Sequence, residues 1–156
     1  METIVRRAVL EDLEGIVALF EAYRSFYDGA PNETAARSFI RERLLEKDSV
    51  IFLAERINQA VGFMQFYPSF TSVGMARIWI LNDLYVDENN RRHGIASQLL
   101  KTAEIFAKET GARKMILSTA VTNTSAQALY EQHGWKRDTD FFGYALQTSK
   151  SHPRPT

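Results

Sequence analysis

The run RIWILNDLYV, residues 77 to 86, places apolar side chains on both faces of an extended chain for most of its length. Such a strand has to be covered from above and below, which requires a sheet with this strand near its centre and other elements packed on each side. After it, Ile95, Leu99, Ala103 and Phe106 recur at helical spacing to about Thr110, and Gly111 stands where a left-handed C-terminal residue belongs. KMILSTA (114 to 120) then reads as a second buried strand. A strand, helix, strand order of this kind makes the two strands parallel, joined by a right-handed crossover.

The elements before the central run complete the pattern. TIVRRAV (3 to 9) reads as a short strand, and Leu13, Ile16, Val17 and Phe20 mark a helix through about Arg24, broken by Gly29 and Pro31. Ala36, Phe39, Ile40 and Leu44 mark a second helix to about Lys47. SVIFLAE (49 to 55) and AVGFMQFY (60 to 67) read as strands around a turn at Asn58-Gln59, with Pro68 closing the second. Late in the chain, Asn123 or Thr124 caps a short helix carrying Ala126, Leu129, Tyr130 and His133. Gly134 ends it, and two strands are expected around Trp135 and FFGYAL (141 to 146). The expectation is one α/β domain over 1–146 with a mixed sheet and helices on both faces. The polar, proline-containing tail 147–156 is expected to be disordered.

Composition narrows the function. Lys plus Arg and Asp plus Glu both total 19, so no overall basic field draws in nucleic acid or an anionic membrane, and any anion site must be local. There is no cysteine, hence no disulfide framework and no thiol nucleophile, and the three histidines are too scattered for a metal set. No apolar run is long enough to span a bilayer and the start lacks a signal-peptide layout, so a cytoplasmic protein is expected.

One local anion site does suggest itself, in RRHGIAS (91 to 97), where the central strand hands over to a helix. Ligands of open α/β sheets usually bind at that end of the strands. Backbone N–H groups from Arg92 to Ser97 include the unpaired donors of a helix start. Gly94 and Ala96 keep the backbone approachable, and Arg91 and Arg92 offer guanidinium forks to phosphate oxygens. With a single glycine the stretch matches neither a Walker loop nor a dinucleotide fingerprint, and a solvated charged loop is the plain alternative.

Arg91-Arg92-His93-Gly94-Ile95-Ala96 resembles the R/Q-x-x-G-x-G/A loop of the GCN5-related N-acetyltransferases (GNAT), which grips the pyrophosphate of acetyl-CoA. LNDLYVDENNR before it is similar to that family's central strand, and NTSAQALYEQHGW (123 to 135) to its N-x-x-A-x-x-L/F-Y-x-x-x-G-F/W segment. The resemblance spans residues 3 to 146, with a more local likeness to histone and polyamine acetyltransferases. It implies a mostly antiparallel sheet whose one parallel pair splays near Leu84, Tyr85 and Val86, with pantetheine in the gap. Backbone N–H near Leu84 or Tyr85 would serve the reacting carbonyl, and the acceptor amine would attack directly. Tyr130 would protonate the departing thiolate, and Asn123, with Ala126 beside it, would bond pantetheine. As alternatives, Tyr130 is an amphipathic core residue and Asn123 only a cap.

The remaining roles stay open. Asp83 is the candidate base, although the diamine acetyltransferases carry Glu where Asn82 stands, and removal through water, a neighbouring tyrosine or bulk solvent competes with it. Alternation along a strand would send Asn82 and Asp83 to opposite faces. Tyr27, Asp28, Trp79, Asn82 and Asp83 are the candidate acceptor residues, because aromatic faces and carboxylates suit a cationic amine. That amine could be a polyamine, an amino-acid-like molecule or a lysine-bearing peptide. A non-catalytic acyl-CoA binding module is the competing reading. FFGYAL could form a homodimer surface or be ordinary core.

Overall fold

The computed structural model describes residues 2–149. A short strand β1 (Ile4–Arg7) leads through a 3-10 turn into α1 (Leu13–Phe26), followed by α2 (Glu33–Glu46). Three strands come next, β2 (Val50–Arg56), β3 (Gln59–Thr71) and β4 (Ala76–Val86), then α3 (Ile95–Glu109), β5 (Met115–Ile116) and α4 (Thr124–Gln132). The sheet order is β1-β2-β3-β4-β5, antiparallel except for the parallel β4–β5 pair. Part of the expected tail, residues 150–156, lies outside the described residues.

Each face of the sheet has its own core. On one face Leu13, Ile16, Val17 and Tyr23 of α1 and Ile40 of α2 pack on Ile51, Leu53 and Phe63. On the other, Leu99, Leu100, Ala103 and Phe106 of α3 pack on Phe52, Phe66, Trp79 and Leu81. Helices thus cover both faces, which is what a central strand apolar on both sides demands. The start of α1 is tied to the sheet by Arg6, which donates to both Asp12 carboxylate oxygens at 2.7 and 2.9 Å and to Glu55 at 2.6 Å.

Four local expectations are corrected. The β2–β3 turn consists of Ile57 and Asn58, both left-handed at φ 50° and 59°, with Arg56 opposite Gln59. Pro68 does not close β3, which continues to Thr71 with Pro68 opposite Trp79. Proline lacks only the donor, so a ladder can pass it where no bond is required of that nitrogen. The expected strand at 114–120 contributes only Met115 and Ile116 to the ladder, opposite Trp79 and Ile80. No described residue after Gln132 is in a helix or strand, and Phe141, Phe142, Tyr144 and Leu146 are at least 80% exposed. β-rich composition does not make a strand without an edge to pair with, and a two-residue β5 offers little edge.

The turn carries a testable cost. A β-branched residue at φ 50°, and 72% exposed at Ile57, is strained without compensating burial. Ile57→Asn is expected to raise unfolding stability by about 1 kcal/mol, read from the urea midpoint at unchanged m-value.

Candidate active site

β4 pairs with β5 only as far as Ile80, so from Leu81 to Val86 its outer edge has no strand partner among the described residues. That edge opens into a cleft of about 500 Å3. Leu84, Tyr85 and Val86 form one wall, and Asn123, Ala126 and Tyr130 of the α4 segment form the other. Arg91, Arg92 and the backbone at Gly94–Ser97 lie at one end, and Tyr23, Phe26 and Tyr27 from the end of α1 complete the lining.

The Arg91–Ser97 loop has the geometry of a cradle. Gly94 is the N-cap of α3 at φ 72°, and a Cβ built on it would meet nothing within 4 Å, so its missing side chain leaves open space at the helix N-terminus. Arg92 is also left-handed, at φ 67°. Arg91 is held over the cleft: its Nε donates to the Val86 carbonyl at 3.0 Å, and its guanidinium lies 5.5 Å from the Tyr85 ring centre. Ile95, at the first position of α3, is buried in the α3-side core. Ser97 Oγ lies 3.0 Å from His133 Nε2, a link between α3 and the end of α4. His93 is exposed and is not part of the lining.

On the opposite wall, Asn123 Oδ1 accepts from the Ala126 N–H at 3.2 Å as the N-cap of α4, and its side chain also bonds Tyr27. Tyr130 packs against Trp135 with ring centres 6.1 Å apart. Burial, and secondarily Tyr27, pushes the Tyr130 phenol up to about 12, so at neutral pH it is a proton donor.

Asn82 and Asp83 depart from simple alternation. The β3–β4 register pairs Gln65 with Asp83 and Phe66 with Leu81, leaving Asn82 as the extra residue of a bulge. The bulge brings the two side chains together, and Asn82 Nδ2 donates to Asp83 Oδ1 at 3.1 Å. Asp83 is 3% exposed and lies behind the lining, accepting from the Tyr23 hydroxyl, whose oxygen also lies 3.3 Å from the Asn82 carbonyl. Burial raises the Asp83 carboxyl above its ordinary range, against hydrogen bonds from Gln65, Tyr23 and Asn82 that lower it.

Of the five acceptor candidates Tyr27 lines the cleft, Asn82 and Asp83 do not, and Trp79 and Asp28 lie elsewhere. Trp79 is buried in the α3-side core against Phe66 and Phe106, its Nε1 donating to Thr110 Oγ1 at 2.8 Å. Asp28 is exposed at φ 61° in the turn after α1 and does not line the cleft. Sequence reasoning passed over Gln65, which lies behind the lining and bonds Asp83. The one signal for Gln65 was a polar residue inside the otherwise apolar AVGFMQFY. Among the described residues no His, Cys, Asp and Glu group could hold a metal, and no helix is long and apolar enough to cross a membrane.

A group whose folded-state carboxyl is raised stabilises the fold below its unfolded value and loses that contribution as pH rises through the folded one. Asp83→Asn removes the buried charge, so it is expected to gain stability relative to the parent as pH increases from acid to neutral. Thermal melts of both proteins across that range check the sign.

Comparison with known proteins follows the same geometry. Residues 16–135 match the sequence profile of the Acetyltransferase (GNAT) family. A Bacillus subtilis (strain 168) protein named uncharacterized N-acetyltransferase YhfO is 42% identical over 142 residues, 91% of this chain and 95% of that one. Saccharomyces cerevisiae D-amino-acid N-acetyltransferase HPA3 is 26% identical, covering 86% of each chain. A crystal structure of a probable acetyltransferase superposes with a TM-score of 0.89 at 41% identity, over 97% of this chain and 100% of that one. The open cradle at Gly94 and the β4 edge that β5 does not cover fit the acetyl-CoA that this family uses as acetyl donor. A match over most of the chain, on a fold whose cleft offers that cradle, means that the protein belongs to the GNAT family of acetyl-CoA-dependent acetyltransferases.

Proposed function

We propose that the protein acetylates the primary amine of a small molecule, of amino-acid or polyamine type, by direct attack on acetyl-CoA. The observation that carries this is the convergence of the Gly94 cradle, the β4 edge that β5 does not cover and Tyr130 on one cleft whose lining includes the aromatic end of α1. Bound acetyl-CoA supplies the thioester that is attacked.

The protein's own residues do the rest. Backbone at Arg92–Ser97 and the Arg91 and Arg92 side chains would hold the phosphates, and Leu84–Val86 and Asn123 would hold the pantetheine arm. Tyr130 gives its phenolic proton to the departing thiolate. Asp83 takes the amine's proton, and because it lies behind Tyr23 the route from the cleft runs through the Tyr23 hydroxyl. Tyr23 and Tyr27 present ring faces and edges to a cationic acceptor, while the rings of Phe26 and Tyr85 face the Arg91 guanidinium at 5.9 and 5.5 Å. The yeast relative's name supports an amino-acid amine. A lysine-bearing peptide is the second reading, favoured by the local likeness to histone acetyltransferases.

Release of free CoA from acetyl-CoA, measured against D- and L-amino acids, polyamines, aminoglycosides and lysine peptides, tests both readings. Turnover restricted to small amines is the expected result. Turnover on peptides alone would favour the second reading, and acetyl-CoA binding with no turnover on any amine would favour a binding module. The exposed Phe141, Phe142, Tyr144 and Leu146 support a homodimer through this segment, which light scattering behind size exclusion checks.

A further inference from the structure

Behind the cleft, three polar side chains form a closed chain through the sheet. Ser49 Oγ donates to Gln65 Oε1 at 2.8 Å, and Gln65 Nε2 donates to Asp83 Oδ2 at 2.6 Å. Ser49 is 8% exposed, Gln65 0% and Asp83 3%, and these three are the buried polar side chains among the described residues. Gln65 and Asp83 are directly opposite across β3 and β4, next to the bulge at Asn82.

A fully buried carboxamide with apolar neighbours on its strand costs free energy unless both ends are paired, and here Ser49 and Asp83 pair them. Its orientation is also determined. A serine hydroxyl can donate or accept, but a carboxylate only accepts, so the amide nitrogen must face Asp83 when Asp83 is charged. The reverse orientation would set the carboxamide oxygen against a carboxylate oxygen. With Ser49 donating to the carboxamide oxygen, Gln65 has one arrangement left.

We infer that Gln65, oriented by Ser49, is a positioning residue that holds the Asp83 carboxylate in one rotamer and in its charged form. The inference rests on the reading of Asp83 as the base. Three donors meet the carboxylate, from three elements: Gln65 on β3, Tyr23 on α1 and Asn82 on β4. Of these, Gln65 opposes the effect of burial most strongly. The other titratable groups that sense Asp83 are Tyr27 from α1 and Tyr67 from β3, both pushed up first by burial and then by its charge. Arg43 and Asp48 act on Tyr67 with opposite sign.

The test is the pH dependence of kcat/KM, together with direct titration of the Asp83 side-chain carboxyl by carbon NMR on the full chain. Gln65→Met keeps length and apolar volume but removes the donor. It is expected to move both the acid limb of kcat/KM and the NMR titration upward by about one pH unit. Ser49→Ala leaves the donor but frees the carboxamide to turn, and should give a smaller shift of the same sign. Restoring an amide with Gln65→Asn is expected to return part of the shift.

Lower kcat in Gln65→Met with the NMR titration unmoved would overturn the inference, since a merely structural role predicts that result. Should Gln65→Met fail to fold, Ser49→Ala decides on the same two readouts. Asp83→Asn separates this inference from the base reading. An acid limb that persists in Asp83→Asn removes Asp83 as the base, while the NMR comparison still judges Gln65.

Discussion

Gly94→Glu is expected to lower acetyl-CoA affinity by at least about 100-fold while the protein still folds. Gly94 stands at the N-terminus of α3, and a side chain there would enter open space without touching the protein. A glutamate would put bulk and negative charge where phosphate oxygens are to sit, among the backbone N–H groups that would bind them. The fold pays only the left-handed conformation, of order 1–2 kcal/mol, offset in part because an acidic side chain suits a helix start. Calorimetric titration with acetyl-CoA and a thermal melt separate the two effects. Gly94→Ala carries the same backbone strain without charge or length, so it should bind acetyl-CoA far better than the glutamate variant. Equal losses in both would mean that backbone conformation, and not the space above Gly94, controls binding.

Tyr130→Phe is expected to cost about 100-fold or more in kcat with acetyl-CoA affinity nearly unchanged. The substitution removes one hydroxyl and keeps the ring that packs against Trp135, so stability should change little. Because burial lifts the phenol to about 12, Tyr130 keeps its proton at neutral pH, and the loss should be uniform between about pH 6 and 9. Pre-steady-state turnover with the best amine from the panel measures the step directly. A variant with parental turnover would remove Tyr130 as the acid and leave protonation of the thiolate to solvent. Proportional falls in kcat and acetyl-CoA affinity would assign the tyrosine to binding.

Much of this was legible from local spacing. The order of helices and strands up to α4, the cap at Asn123 and the glycine at the start of α3 all depend on residues a few positions apart, which periodicity and capping chemistry report. The Arg91–Ser97 loop belongs to the same class, because it is one contiguous stretch. The late strands were misread because FFGYAL has strand composition, and composition says nothing about whether an edge exists to receive it.

Side-chain direction was the harder question. RIWILNDLYV is apolar on both faces, so it carries no phase, and nothing in it says that Trp79 turns toward α3. The bulge at Asn82 is a property of how β4 registers on β3, and it reversed the expectation that Asn82 and Asp83 diverge. Ser49, Gln65 and Asp83 are separated by 16 and 18 residues along the chain and meet only because β2, β3 and β4 lie side by side. By itself the sequence determined the order of helices and strands up to α4 and the glycine at the start of α3, since both follow from neighbours along the chain. Tertiary structure alone decided which carboxylate is buried and what holds it, since strand register brings distant residues within hydrogen-bond reach.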